Sequence, residues 1–194
     1  MIAYLKGKLV HKEPTFVIID VNGIGYQVMI SLNTYSEIKD REDIKLFTYL
    51  NIREDAHILY GFSNELEKGM FLNLISVNGV GPSTALMVLS SMSPNDLKNA
   101  IMREDTASLQ TIKGIGGKTA QRLILELKDK VKKEAFDTPV LGGLNNTVTK
   151  EALSALMTLG ISKAAAEKSI EAVLKKSGNS LSLEELVKLA LKNA

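Results

Sequence analysis

One stretch of the chain matches another at an offset of 35 residues, and this repeat constrains the fold more than any other feature. Leu74 falls on Leu109, Val77 on Ile112, Gly79 on Gly114 and Gly81 on Gly116. Thr84, Ala85, Val88 and Leu89 then meet Thr119, Ala120, Leu123 and Ile124. Each copy has apolar residues at helical spacing on both sides of a Gly-apolar-Gly triplet, which spells helix, tight turn, helix. In the first copy Leu66, Met70, Leu74 and Val77 lie on one stripe, and Pro82 suits the first position of the next helix. Between the copies, Ser93 reads as an N-cap, with Pro94 at N1 and Asp96 in the first turn. A short helix should lead into the second turn, and a long one should run from about Gly117 to Lys133. Two copies are too few for a solenoid, so a paired all-α module is expected.

The residues before the repeat follow a different period. Apolar runs at 2–10, 16–21, 25–30, 44–50 and 57–62 are separated by turn residues. Tyr26, Val28 and Ile30 alternate with their neighbours as in a half-buried strand, and Asn22-Gly23 supplies a tight hairpin turn. Five short strands in about 60 residues suit a small OB-like Greek-key barrel. After the repeat, residues 136–146 contain Asp137, Pro139, Gly142 and Gly143 and read as a flexible linker. Three helices at 148–158, 163–176 and 183–192 follow, with Ser182 and Glu185 spaced as a capping box. The expected fold is multi-domain α+β. A barrel occupies 1–64, a tandem hairpin domain 65–135, a linker 136–146 and a three-helix bundle 147–194.

Composition excludes several function classes. The 194 residues hold no cysteine, so disulfides and thiolate metal sites are ruled out, which fits a reducing cytoplasm. No apolar run approaches the roughly 18–20 residues of a membrane span, and Met1 leads into a strand pattern without a signal peptide. Aromatics make up 5% with no Trp, too sparse for a single-strand binder that works by stacking. His11 and His57 are the only histidines and read as packed or solvated rather than metal-bound.

The glycine turns raise the question of nucleotide binding. Gly117-Lys118-Thr119 resembles the end of a P-loop, but the spacing then requires glycine where Ile112 stands. The dinucleotide fingerprint fails as well, because Thr84 and Thr119 occupy its third-glycine positions. Helix-hairpin-helix turns fit better, since two glycines let unpaired N–H groups approach a phosphate. Such contacts hold DNA without reading its sequence. The candidate phosphate-binding residues are Gly79, Gly81, Ser83, Gly114, Gly116, Lys118 and Arg122, and the alternative is a hairpin whose glycines serve packing alone. Charge supports the second copy, where residues 107–134 carry 7 basic against 3 acidic residues, a net of +4. Lys118 and Arg122 lie four apart on one helix face behind the turn, while Lys130, Lys132 and Lys133 fit a solvated face. In the barrel, Arg53-Glu54-Asp55 sits in the turn between the last two strands. An acidic pair there is either a solvated turn or a device that repels phosphate.

Together these motifs resemble the RuvA family, the Holliday-junction-binding subunits of bacterial branch-migration complexes, over the whole length. The matching parts are Met1-Ile2-Ala3-Tyr4-Leu5-Lys6-Gly7, Gly23-Ile24-Gly25-Tyr26, Arg53-Glu54-Asp55-Ala56 and Leu59-Tyr60-Gly61-Phe62. The turns Asn78-Gly79-Val80-Gly81-Pro82 and Gly114-Ile115-Gly116-Gly117-Lys118-Thr119-Ala120 follow in place.

The resemblance implies a homotetramer, or an octamer on DNA, whose hairpins grip the arms of an open four-way junction. It makes Glu54 and Asp55 an acidic pin at the crossover. It makes the terminal bundle the domain that recruits RuvB, a hexameric ATPase, in recombination, DNA repair and the SOS response. A RuvC-type resolvase is a further implied partner. The chain itself is expected to be non-catalytic and cofactor-free, with ATP and Mg used by the motor. For the motor-binding surface, the apolar residues of the bundle are the candidates, among them Leu156, Leu159, Ile161, Leu183, Leu186 and Leu189. Relatives often carry a basic residue where this chain has Ser83, and another at Gly117, so weaker or more salt-sensitive binding is expected. Two other classes remain open at this point. One is a nuclease or glycosylase that docks through the hairpins, although no catalytic constellation is visible; the other is an oligomerisation module without a DNA role.

Overall fold

Val17, Ile19, Val28, Ile30, Leu46 and Leu59 are buried at alternating positions of their strands, and burying that one face closes a barrel. The computed structural model describes residues 1–136, 144–177 and 181–193. These fall into two compact units, Met1–Ala135 and Phe136–Ala194. The barrel comprises β1 (Tyr4–Lys12), β2 (Phe16–Val21), β3 (Ile24–Ile30), β4 (Asp43–Ile52) and β5 (His57–Phe62). The closed order is β1-β2-β3-β5-β4, antiparallel except for β3 with β5. Asn22 and Gly23 have φ of 51° and 88°, as a two-residue hairpin turn requires, and Val21 pairs with Ile24. Because of the closure no sheet edge is left to aggregate.

The sequence pattern does not announce α1 (Leu32–Ile38), which links β3 to β4. It buries only Thr34 and Ile38, and two positions are too few to register as a period. Ser31 caps it by accepting a hydrogen bond from Thr34 N–H. Strand β1 also starts two residues later than its apolar run suggests. The segment before it is held instead by Thr48, whose Oγ1 donates to the Ile2 carbonyl and whose N–H donates to the Ala3 carbonyl.

The helices α2 (Glu65–Ile75), α3 (Pro82–Ser91), α4 (Pro94–Met102), α5 (Thr106–Gln110) and α6 (Gly117–Phe136) complete the first unit. Met70, Leu74 and Val77 are buried on the expected stripe, but Leu66 is exposed, because the buried face of α2 runs through Glu67, Met70, Phe71 and Leu74. Phe71 fixes α2 on the barrel: its ring lies 4.8 Å from Phe62, 5.3 Å from Tyr60 and 5.5 Å from Tyr49. Tilted pairs of this kind contribute about 0.5–1.5 kcal/mol each beyond area burial. The barrel wall and the hairpins therefore share one apolar cluster.

The second unit contains α7 (Leu144–Thr158), α8 (Lys163–Ser177) and α9 (Leu183–Leu191), packed around Ala152, Leu156, Ala166, Ile170, Val173 and Leu186. The Ser182–Glu185 capping box is formed. Most of the expected linker lies outside the described residues, but Phe136 still belongs to α6 and Leu144 already to α7.

Candidate nucleic-acid interface

The two hairpins have the same backbone. Gly79 has φ of 90° and Gly114 of 92°, the left-handed region that side chains resist. In the first turn Val77 N–H donates to Leu74 (3.1 Å), Val80 N–H to Val77 (3.1 Å) and Ala85 N–H to Gly81 (2.9 Å). In the second, Ile112 donates to Leu109 (3.2 Å), Ile115 to Ile112 (3.0 Å) and Ala120 to Gly116 (2.9 Å). The middle residues Val80 and Ile115 are buried, so each turn is pinned from beneath and its glycines face outward. Ala85 and Ala120 are fully buried where the second helix of each hairpin meets the core.

Gly81 and Gly116 differ in kind from Gly79 and Gly114. Neither has a positive φ, and a Cβ added at either would meet nothing within 4 Å. Packing inside the chain gives no reason for glycine at these two positions, whereas an outside group approaching the backbone does. Gly81 is the N-cap of α3 and supplies no side-chain cap, and Pro82 has no N–H. The N–H groups of Ser83 and Thr84 thus open the helix without a capping side chain.

Charge is distributed unequally. Residues 69–95 contain no Lys, Arg, Asp or Glu at all. Lys113 and Lys118 are exposed at the second turn. Arg122 is not directed at that turn: its Nη1 donates to the Asn78 carbonyl of the first, at 3.2 Å, and its Nε lies 3.9 Å from Glu126. Lys130, expected to be merely solvated, donates to Ser76 Oγ at 2.8 Å, at the end of α2. Lys128 pairs with Glu104, which holds the Glu104 carboxyl below its usual range through the hydrogen bond and the charge. Asp105 caps α5 by accepting from Ser108 N–H (3.0 Å) and Oγ (2.5 Å), and the hydroxyl bond leads in lowering its pKa.

Glu54 and Asp55 are exposed at the β4–β5 turn, which Arg53 N–H closes onto the Ala56 carbonyl at 2.8 Å. Among the described residues no His/Asp/Glu group could hold a metal, and no helix is long and apolar enough to cross a membrane. In the second unit the leucines divide. Leu156 and Leu186 fill the bundle core, so their expected place on a partner surface is corrected: three short helices need both to close their centre. Leu183, Leu189 and Ile161 pack partly against that core, and of these candidates only Leu159 is largely exposed, at 62%.

Sequence reading misses one polar cluster entirely. Glu67 is 1% exposed, accepts from the Ser31 hydroxyl and from Thr34 Oγ1 (2.6 Å), and ties α2 to α1. Burial pushes its carboxyl up against the opposing pull of those hydroxyls. Its partners lie 36 and 33 residues away, beyond any local pattern.

Three family models match successive parts of the chain. The family model described as RuvA N terminal domain matches residues 1–61, that of the SAM-like helix-hairpin-helix tandem matches 71–129, and that of the RuvA C-terminal domain matches 147–194. A protein of Cytophaga hutchinsonii named Holliday junction branch migration complex subunit RuvA is 54% identical over 197 residues, covering 99% of each chain. Proteins of the same name from Christiangramia forsetii and Amoebophilus asiaticus are each 50% identical, covering 99% of this chain and 99% and 100% of their own.

Proposed function

The chain belongs to the RuvA family, and on that premise we propose that it binds four-way DNA junctions without sequence specificity and recruits a RuvB-type ATPase for branch migration. The observation that supports this reading is the pair of matching turns whose outer glycines, Gly81 and Gly116, are exposed and open onto empty space that no packing inside the chain requires. Backbone N–H groups at two helix starts bind phosphate through dipoles, and dipoles carry no base information. The chain acts as a non-catalytic adaptor in a homotetramer. ATP and Mg serve the motor, and a RuvC-type resolvase follows as a successor on the same junction.

Gel shifts with a synthetic four-way junction and a linear duplex of equal length test the proposal. Preference for the junction is expected; equal affinity would reduce the chain to a general DNA binder. Cleavage of the junction by the purified chain with magnesium would instead favour the nuclease reading. A chain ending near Pro139 keeps the barrel and both hairpins and is expected to bind junctions but to lose RuvB-dependent migration. The exposed Leu159 and half-buried Leu183 support, on that reading, a docking surface for the motor on the terminal bundle.

Glu54 and Asp55 act in the opposite sense. Carboxylates near phosphates at the crossover repel them and keep the strands apart. Glu54→Gln with Asp55→Asn is therefore expected to leave junction affinity level or tighter, most clearly at low salt, while migration becomes less regular. A marked loss of affinity in the folded double variant would contradict the pin.

A further inference from the structure

The turn and second helix of the first hairpin carry no cation of their own. At the offset of 35 residues, Ser83 stands where the second copy has Lys118, and Met87 where it has Arg122. No charged side chain occurs anywhere between residues 69 and 95. A phosphate at this turn would meet backbone dipoles and no formal charge from its own copy.

We propose that Arg122, although carried by the second hairpin, serves the phosphate site of the first. Its Nη1 bonds the carbonyl of Asn78, the residue immediately before Gly79, so the guanidinium stands at the mouth of the first turn. That bond uses one of five N–H donors, the Glu126 carboxylate stands 3.9 Å from Nε, and the side chain remains 52% exposed, which leaves donors for a phosphate oxygen. Arg122 thereby orients the first turn and brings to it the charge it lacks. Lys130 strengthens the arrangement from two helical turns further along α6, about 12 Å away. It bonds Ser76 at the end of α2, a helix with no basic residue in its own last turn. The two ties fix the first turn against α6, and α6 begins at the second turn. The spacing of the two phosphate sites is therefore set by α6, and the first site is composite. Spacing along the sequence pairs Arg122 with Lys118; the hydrogen bond to Asn78 assigns Arg122 to the first turn, and Lys118 is left to the second.

The inference rests on the junction-binding reading, and a double-mutant cycle on the full chain separates the two. Arg122→Ala, Gly81→Val and Gly116→Val, singly and combined, are compared by fluorescence titration of a synthetic four-way junction, with circular dichroism to establish folding. Both glycine positions open onto empty space without positive φ, so these variants are expected to fold. Arg122→Ala alone should weaken binding about tenfold. In the Gly81→Val background it should add less than about twofold, because residues acting on one site are not additive. In the Gly116→Val background the full tenfold should persist. The reverse pattern, or a full effect in both backgrounds, would overturn the assignment of Arg122 while leaving phosphate binding intact. Wild-type affinity in both single glycine variants would remove the hairpin reading itself.

Discussion

The two hairpins have one backbone and different chemistry. Their turns agree to 2° in the φ of the first glycine and to 0.1 Å in each of three hydrogen bonds. Yet the first is uncharged from 69 to 95 while residues 107–134 carry a net of +4. What repeats is a pair of exposed glycines around a buried aliphatic residue, and side-chain charge varies around it. A phosphate site built on backbone N–H groups, as proposed for both turns, needs no cation of its own if another element lends one. Among the described residues, the first hairpin also has what the second lacks, a buried carboxylate, Glu67, that ties α2 to α1.

The largest expected effect breaks the shared backbone. Val at Gly79 or Gly114 forces a β-branched residue to φ near 90°, at a cost of about 1–3 kcal/mol or more. Both variants should show a lowered Tm in thermal melts as well as lost junction binding. Gly81→Val and Gly116→Val should lose binding with a smaller fall in Tm, set by the poorer N-cap and not by a strained φ. If all four behave alike in the melts, the division of the glycines into conformational and contact roles is wrong. Equal losses from Gly79→Val and Gly114→Val would further indicate that the turns contribute equally despite their charge.

A smaller effect tests the difference in charge. Lys118→Ala should reduce the magnitude of the log K against log salt slope by about 0.9, the value for one phosphate contact. Ser83→Lys places a cation at the equivalent position of the first copy and should raise the slope by a similar amount, with tighter binding at low salt. An unchanged slope for Ser83→Lys would mean that the first turn holds no phosphate within reach of that position.

Much of this architecture is legible in the sequence because the signals are local. Asn22-Gly23, Ser93-Pro94 and the Gly-apolar-Gly triplets each encode a turn or cap within a few residues, and every one forms. The readings that fail depend on tertiary context. Leu66 fits the helical stripe of α2 but faces outward, and Leu156 and Leu186 look surplus in sequence although three helices close over them. Periodicity puts Arg122 beside Lys118 because it reports the face of a helix; it does not report how far a long side chain reaches toward a neighbouring element. Its partner, Asn78, is 44 residues away and offers a backbone carbonyl, which no residue type reveals.

The smallest expected effect concerns the anchor that distinguishes the first hairpin. Glu67 is buried between α2 and α1, with hydroxyls of Ser31, Thr34 and Ser63 around it and the charge of Glu37 adding to the upward push on its pKa. A carboxyl whose folded pKa lies above the unfolded value of about 4.5 holds more protons in the native state across the interval between the two. Its contribution to stability is therefore fully present below the unfolded value and declines as pH rises through the folded one, with a slope of at most about 1.4 kcal/mol per pH unit. Glu67→Gln removes the titration while keeping the shape of the side chain. Urea unfolding of both proteins from pH 4 to 8 should show the wild type losing stability relative to Glu67→Gln as pH rises from about 4.5, with the difference level above the folded pKa. Parallel curves across the range would show that the surrounding hydroxyls offset burial completely. The anchor of the first hairpin would then be as insensitive to pH as the uncharged turn it supports.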